Sequence, residues 1–65
     1  MENKWTFSSL DEMWWEYGLF DTKEEAINAA KEVFTDGCML GQLYKPKGAS
    51  NYSVKLRDKA FFRGH

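Results

Sequence analysis

The chain has one cysteine, one histidine and one proline, and no long hydrophobic run. With Cys38 alone, no intrachain disulfide can form. Cys38 and His65 together fall short of the four Cys or His ligands that a structural zinc site needs. His65 is the last residue, where chain ends fray, so a Cys38/His65 or Ser/His pair of nucleophile and base would rest on the least ordered part of the chain. Cys38 also opens an apolar stretch and reads as a small buried hydrophobe rather than a thiolate.

Other catalytic signatures are missing as well. There is no P-loop, no glycine-rich dinucleotide fingerprint, and no HExxH or EF-hand spacing. Carboxylates do lie near one another in sequence, Asp11 with Glu12, Glu16 or Asp21. Acid and base work also needs a pocket that separates their pKa values, and one helix on a small sheet encloses little volume. The acids read better as a solvated face, so neither enzymatic activity nor a cofactor or metal is expected. The start, Met1-Glu2-Asn3-Lys4, lacks the basic and apolar pattern of a signal peptide, and no stretch is long enough to span a membrane. The expectation is a cytoplasmic protein with no membrane partner.

What is present fits a single small domain over residues 1–65. A chain of this size buries only about 60% of the surface its unfolded form exposes, so its core must be built from few positions. Three tryptophans, three tyrosines and five phenylalanines supply large buried areas for that purpose. Charge divides along the chain. Residues 1–36 carry nine acids against three lysines, a net of −6, and residues 37–65 carry six basic residues against Asp58, a net of +5. If the halves separate in space the molecule is dipolar, and if they interleave they neutralise each other.

The organising element is the helix read over Phe20 to Phe34. Thr22 as N-cap with Glu25 three residues on forms a capping box, and Asp21, Glu24 and Glu25 set negative charge at the partly positive helix start. Ala26, Ile27, Ala30, Val33 and Phe34 recur at helical spacing and define the apolar face. Gly37 suits the left-handed conformation common beyond a helix C-terminus.

Around this helix, Trp5-Thr6-Phe7-Ser8 alternates as a strand with Trp5 and Phe7 on one face. Met13 to Gly18 is expected to form a second strand, the alternative being a loop with one helical turn opening at Ser9 or Asp11. Cys38 to Tyr44 reads as a central strand in which Gly41 marks a bulge or a close approach of the helix. After a polar hairpin loop, Asn51 to Arg57 alternates Tyr52, Val54 and Leu56 inward with polar residues outward. Of Phe61 and Phe62, one ring is expected to cap the core and the other to be left over. The fold expected is α+β, one α-helix packed on a small antiparallel sheet in the order β-β-α-β-β.

Two surfaces are candidates for binding. The first is Glu12, Trp14, Trp15, Glu16 and Tyr17. Two adjacent tryptophans cannot easily both point inward, so one large ring should stand exposed among acids, and Trp and Tyr dominate protein–protein hot spots. The competing reading has both rings wrapped around opposite edges of the core. The second surface comprises Lys45, Lys47, Lys55 and Arg57 of the C-terminal hairpin, interleaved with Tyr44 and Tyr52 as in single-strand nucleic-acid binders. Tyr52 shares parity with Val54 and Leu56, however, and lysines also defend open sheet edges. A homodimer through Phe61 and Phe62 or an exposed edge strand is a third possibility.

The run from Trp15 to Ile27 (Trp, Gly18, Phe20, then Asp21-Thr22-Lys23-Glu24-Glu25-Ala26-Ile27), followed by Gly41-Gln42, resembles small proteins encoded by phages and prophages of low-GC Gram-positive bacteria. It spans about half of the chain. The resemblance implies a non-enzymatic protein that binds and modulates a host protein, and it supplies no active site. Some such products mimic nucleic acid with acidic surfaces, a role from which the basic C-terminal half departs.

Overall fold

The computed structural model describes residues 3–62. A strand β1 (Trp5–Ser8) is followed by a helix α1 (Lys23–Val33) and two further strands, β2 (Gly37–Tyr44) and β3 (Ser53–Phe61). The three strands make one antiparallel sheet in the order β1-β2-β3. The architecture is α+β as expected, but the element order is β-α-β-β, because no strand forms between β1 and the helix.

The helix begins where local chemistry directs it. The Thr22 hydroxyl accepts from the Glu25 N–H at 3.1 Å, and the Glu25 carboxylate accepts from the Thr22 N–H at 3.2 Å, which closes the capping box. The helix ends at Val33, and Phe34 is already extended. Gly37 is therefore not a helix cap. It opens β2, where a β-carbon would come within 2.5 Å of the Ala60 carbonyl oxygen.

Helix α1 packs on β1 and β2. Ala26 and Ala30 are fully buried, and their small side chains bring the helix down onto Phe7, Cys38 and Leu40. Complete burial of a Phe7 or Leu40 side chain contributes about 1.5–3 kcal/mol each. Trp5, Phe20, Ile27, Ala29, Phe34, Ala60 and Phe62 pack around this cluster. Val33, assigned to the apolar face by its spacing, is exposed, while Ala30 and Phe34 on either side of it pack on the core.

The opposite face of the sheet carries Thr6, Ser8, Met39, Gly41 and Leu43, all buried although no helix covers them. A register shift between Leu40 and Gly41 sets Asp58 against Leu40 and Leu56 against Gly41, leaving Arg57 as the extra residue of a β-bulge in β3. The irregularity expected at Gly41 falls at that point of the ladder, but its extra residue belongs to β3, and the close approach is made by Trp15 from the face away from the helix rather than by the helix.

β3 runs four residues beyond the Arg57 end expected for it and is mostly exposed. Val54 is half-buried and Leu56 is 40% exposed, so the buried face expected of this strand is only partly covered. Tyr52 lies before β3 and is exposed rather than turned to the core. Phe62 packs on the core and Phe61 is 70% exposed, the division expected of that pair.

Candidate functional site

The segment from Ser9 to Leu19 is irregular, and its side chains show why it forms no strand. It opens in a turn at Ser9, whose hydroxyl accepts from the Glu12 N–H at 3.1 Å. The buried Ser8 hydroxyl donates to the Glu12 carbonyl at 2.7 Å, and the Trp14 N–H donates to the same oxygen at 2.9 Å. One carbonyl thus fixes the backbone on both sides of Met13.

Beyond this anchor the side chains part. Trp15 is half-buried, with its ring over Gly41 on the face of the sheet away from the helix. Tyr17 lies on the helix side, stacked on Phe7 at 5.0 Å between ring centroids and edge-on to Phe34 at 5.4 Å. The chain therefore passes around the β1 edge between residues 15 and 17. It then rejoins the sheet at Phe20, whose N–H and C=O both bond Trp5, at 2.8 and 2.7 Å. A regular strand here would have to hold these rings in one flat ladder, whereas each ring gains more area by reaching a different face.

The outcome for the predicted binding residues follows from that path. Trp14 is 57% exposed and Trp15 is not, so Trp14 is the outward ring. Glu12 and Glu16 are exposed on either side of it. Tyr17 retains solvent access but is engaged by Phe7 and Phe34, which makes it an anchor of the segment. Met13, 56% exposed, joins Trp14 in the patch. Its position was not singled out in the sequence, since a methionine beside two tryptophans carries no distinguishing signal.

The second predicted group divides. Lys55 and Arg57 come together with Asn3, Gln42, Leu43 and Tyr44 around a shallow hollow of about 220 Å³. Lys45 instead sits over the Tyr52 ring, 5.8 Å from its centroid, and Lys47 is exposed in the hairpin turn. The amides of Asn3 and Gln42 were not foreseen as neighbours of the cations; the Gln42 side chain donates to the Asn3 carbonyl at 3.3 Å.

Electrostatics elsewhere are structural. Lys23 pairs with Asp58 at 2.5 Å and Lys4 pairs with Asp21, and each lysine holds its carboxylate below the ordinary value. Lys4–Asp21 lies within the acidic half, and Lys23–Asp58 joins the minority charge of each half, so neither pair sets the acidic majority against the basic one. Burial pushes the Cys38 thiol up, against thiolate chemistry. Among the described residues no three His, Cys, Asp or Glu side chains are grouped to hold a metal ion, and no helix is long and apolar enough to cross a membrane. His65 lies outside the described residues. Comparison with protein-family models, curated proteins and solved structures gave no match.

Proposed function

We propose that this is a non-enzymatic binding module that recognises another protein through Trp14 and Met13, with Glu12 and Glu16 at the rim. The observation that carries the reading is the contrast within one short segment. Trp15 and Tyr17 are tied to opposite faces of the sheet, while Trp14, immediately before them, is turned to solvent. A large exposed ring on a backbone fixed by its neighbours loses little entropy on binding, which is the condition for a hot spot. The resemblance to small phage products directs the proposal to a bacterial host protein as partner, met in the cytoplasm.

Affinity capture from bacterial lysate with the wild type and Trp14→Ala tests this reading. The substitution should remove a partner that the wild type retains while leaving the fold intact. Equal recovery by both proteins would sink the assignment.

A second reading, nucleic-acid binding, is favoured by one observation: Lys55, Arg57 and Tyr44 line a common hollow, as a phosphate and a stacked base would require. It predicts affinity for a thymidine oligonucleotide that falls steeply with salt and is lost in Lys55→Ala with Arg57→Ala. The separation of Lys45 and Lys47 from the hollow leaves this surface small, and the protein-binding reading is the better supported.

A further inference from the structure

The two edges of the sheet are finished differently. The outer edge of β1 is covered where Phe20 takes both backbone groups of Trp5. β3, at the other edge, pairs only with β2 among the described residues. It is nine residues long and contains no proline.

The direction of its free backbone groups follows from the ladder. Leu43 donates its N–H to the Lys4 carbonyl at 2.8 Å and accepts from Asn3 at 3.1 Å, so both of its backbone groups face β1. Its cross-strand partner Val54 therefore turns N–H and C=O away from β2. Alternation gives Leu56 the same outward direction, and beyond the bulge Lys59 and Phe61, paired with Met39 and Gly37, do likewise, although the Lys59 N–H is already taken by the Asp58 carboxylate at 2.8 Å. The Phe62 N–H, by contrast, points inward to the Asp36 carbonyl at 2.9 Å, as the alternation requires.

Side chains divide along the same strand. Val54, Leu56, Lys59 and Phe61 lie on the face away from the helix, with Leu56, Lys59 and Phe61 exposed. Lys55 and Arg57 lie on the helix side, around the hollow. Asp58, the one acid of β3, is already held by Lys23. Two copies of β3 laid edge to edge would thus set cation against cation, which disfavours self-pairing. Along Val54 to Arg57, an incoming strand with acids on one face and apolar residues on the other meets complementary groups on both.

We propose that the outer edge of β3 accepts an extended segment of a partner protein, alternating acidic and apolar side chains, which adds to the sheet as a further strand. Its acids lie beside Lys55 and Arg57, its apolar residues cover Val54 and Leu56, and its backbone takes the outward groups of Val54 and Leu56. This surface is separate from Trp14, and Trp14→Ala leaves it intact, so the two proposals stand or fall independently.

The test is amide hydrogen exchange with a synthetic peptide alternating glutamate and valine, and with its lysine–valine counterpart. The glutamate peptide should slow exchange at Val54, Leu56 and Phe61, and the lysine peptide should not. Lys55→Glu with Arg57→Glu should weaken the first peptide by about tenfold or more and admit the second. No protection at millimolar glutamate peptide with the protein folded would overturn the proposal, as would equal protection by both peptides. So would protection of the same amides by self-association alone. Binding of a thymidine oligonucleotide at Lys55 and Arg57, with no protection from either peptide, would assign the hollow to phosphate instead.

Discussion

The indole of Trp15 lies across Gly41, with its Cη2 and Cζ3 atoms each 3.0 Å from where a β-carbon on that residue would stand. The same β-carbon would also press on Val54 Cγ1 from the neighbouring strand. Gly41→Ala must therefore displace the ring, the valine or the strand, and overpacking of this kind costs about 1–3 kcal/mol. Urea unfolding should show the loss, and a change in native tryptophan fluorescence should show that the ring has moved.

The two adjacent tryptophans should respond differently to truncation. Trp15→Ala uncovers the sheet around Gly41 and should destabilise by about 2–4 kcal/mol. Trp14→Ala removes an exposed ring and should stay within about 0.5 kcal/mol of wild type. Thermal unfolding of the two variants side by side checks the assignment of the inward and outward rings.

Thr6 is fully buried, and its Oγ1 has no hydrogen-bond partner among the described residues. Leaving a buried hydroxyl unpaired costs about 1–3 kcal/mol, and valine has nearly the same shape without that group. Thr6→Val is expected to be neutral or to raise stability by up to about 1 kcal/mol, measured by chemical denaturation. Thr6→Ser keeps the unpaired hydroxyl, loses a methyl group and should be less stable than wild type.

Asp21 and Asp58 both have lowered pKa values, Asp21 mainly through its hydrogen bond with Lys4 and Asp58 mainly through its hydrogen bond with Lys23. A depressed folded-state pKa stabilises the fold above the ordinary carboxylate value of 3.8, and that contribution disappears as pH falls through the folded value. Stability should thus decline on acidification below about pH 5. The decline should be shallower in Lys23→Gln, and shallower for both proteins in high salt, because the two pairs are exposed. Urea midpoints across a pH series measure this.

Cys38 is fully buried in the core cluster and its thiol pKa is raised by desolvation. Modification by a thiol reagent should be slow in the folded protein and should accelerate in urea in step with unfolding. Reaction at the rate of a free thiol under native conditions would contradict the packing of β2 against α1.

The parts of the fold that could be read from the sequence were those decided by near neighbours. Thr22 and Glu25 define the helix start because both members of the capping box lie within one turn, and β1 follows from the alternation of Trp5 and Phe7. Met13 to Tyr17 could not be read the same way. Its conformation is set by Gly41 under Trp15 and by Phe7 and Phe34 around Tyr17, partners that periodicity does not reveal. Burial along Tyr52, Val54 and Leu56 was misjudged for a related reason. Alternation identifies the two faces of a strand, but which face is covered depends on where the helix lands, and it lands on β1 and β2. The candidate segment from Glu12 to Tyr17 was singled out by its residue types, whereas the choice of Trp14 over Trp15 as the outward ring required the sheet.

The contact between Trp5 and Phe20 limits how this protein can assemble. Because Phe20 occupies the Trp5 end of one edge of the sheet, the β3 edge is the more open one among the described residues, which gives the molecule a pairing valence close to one. A strand added at β3 terminates the sheet instead of extending a chain of copies. Freeing the other edge, by a substitution that detaches Phe20 from Trp5, would turn a capped unit into one able to polymerise.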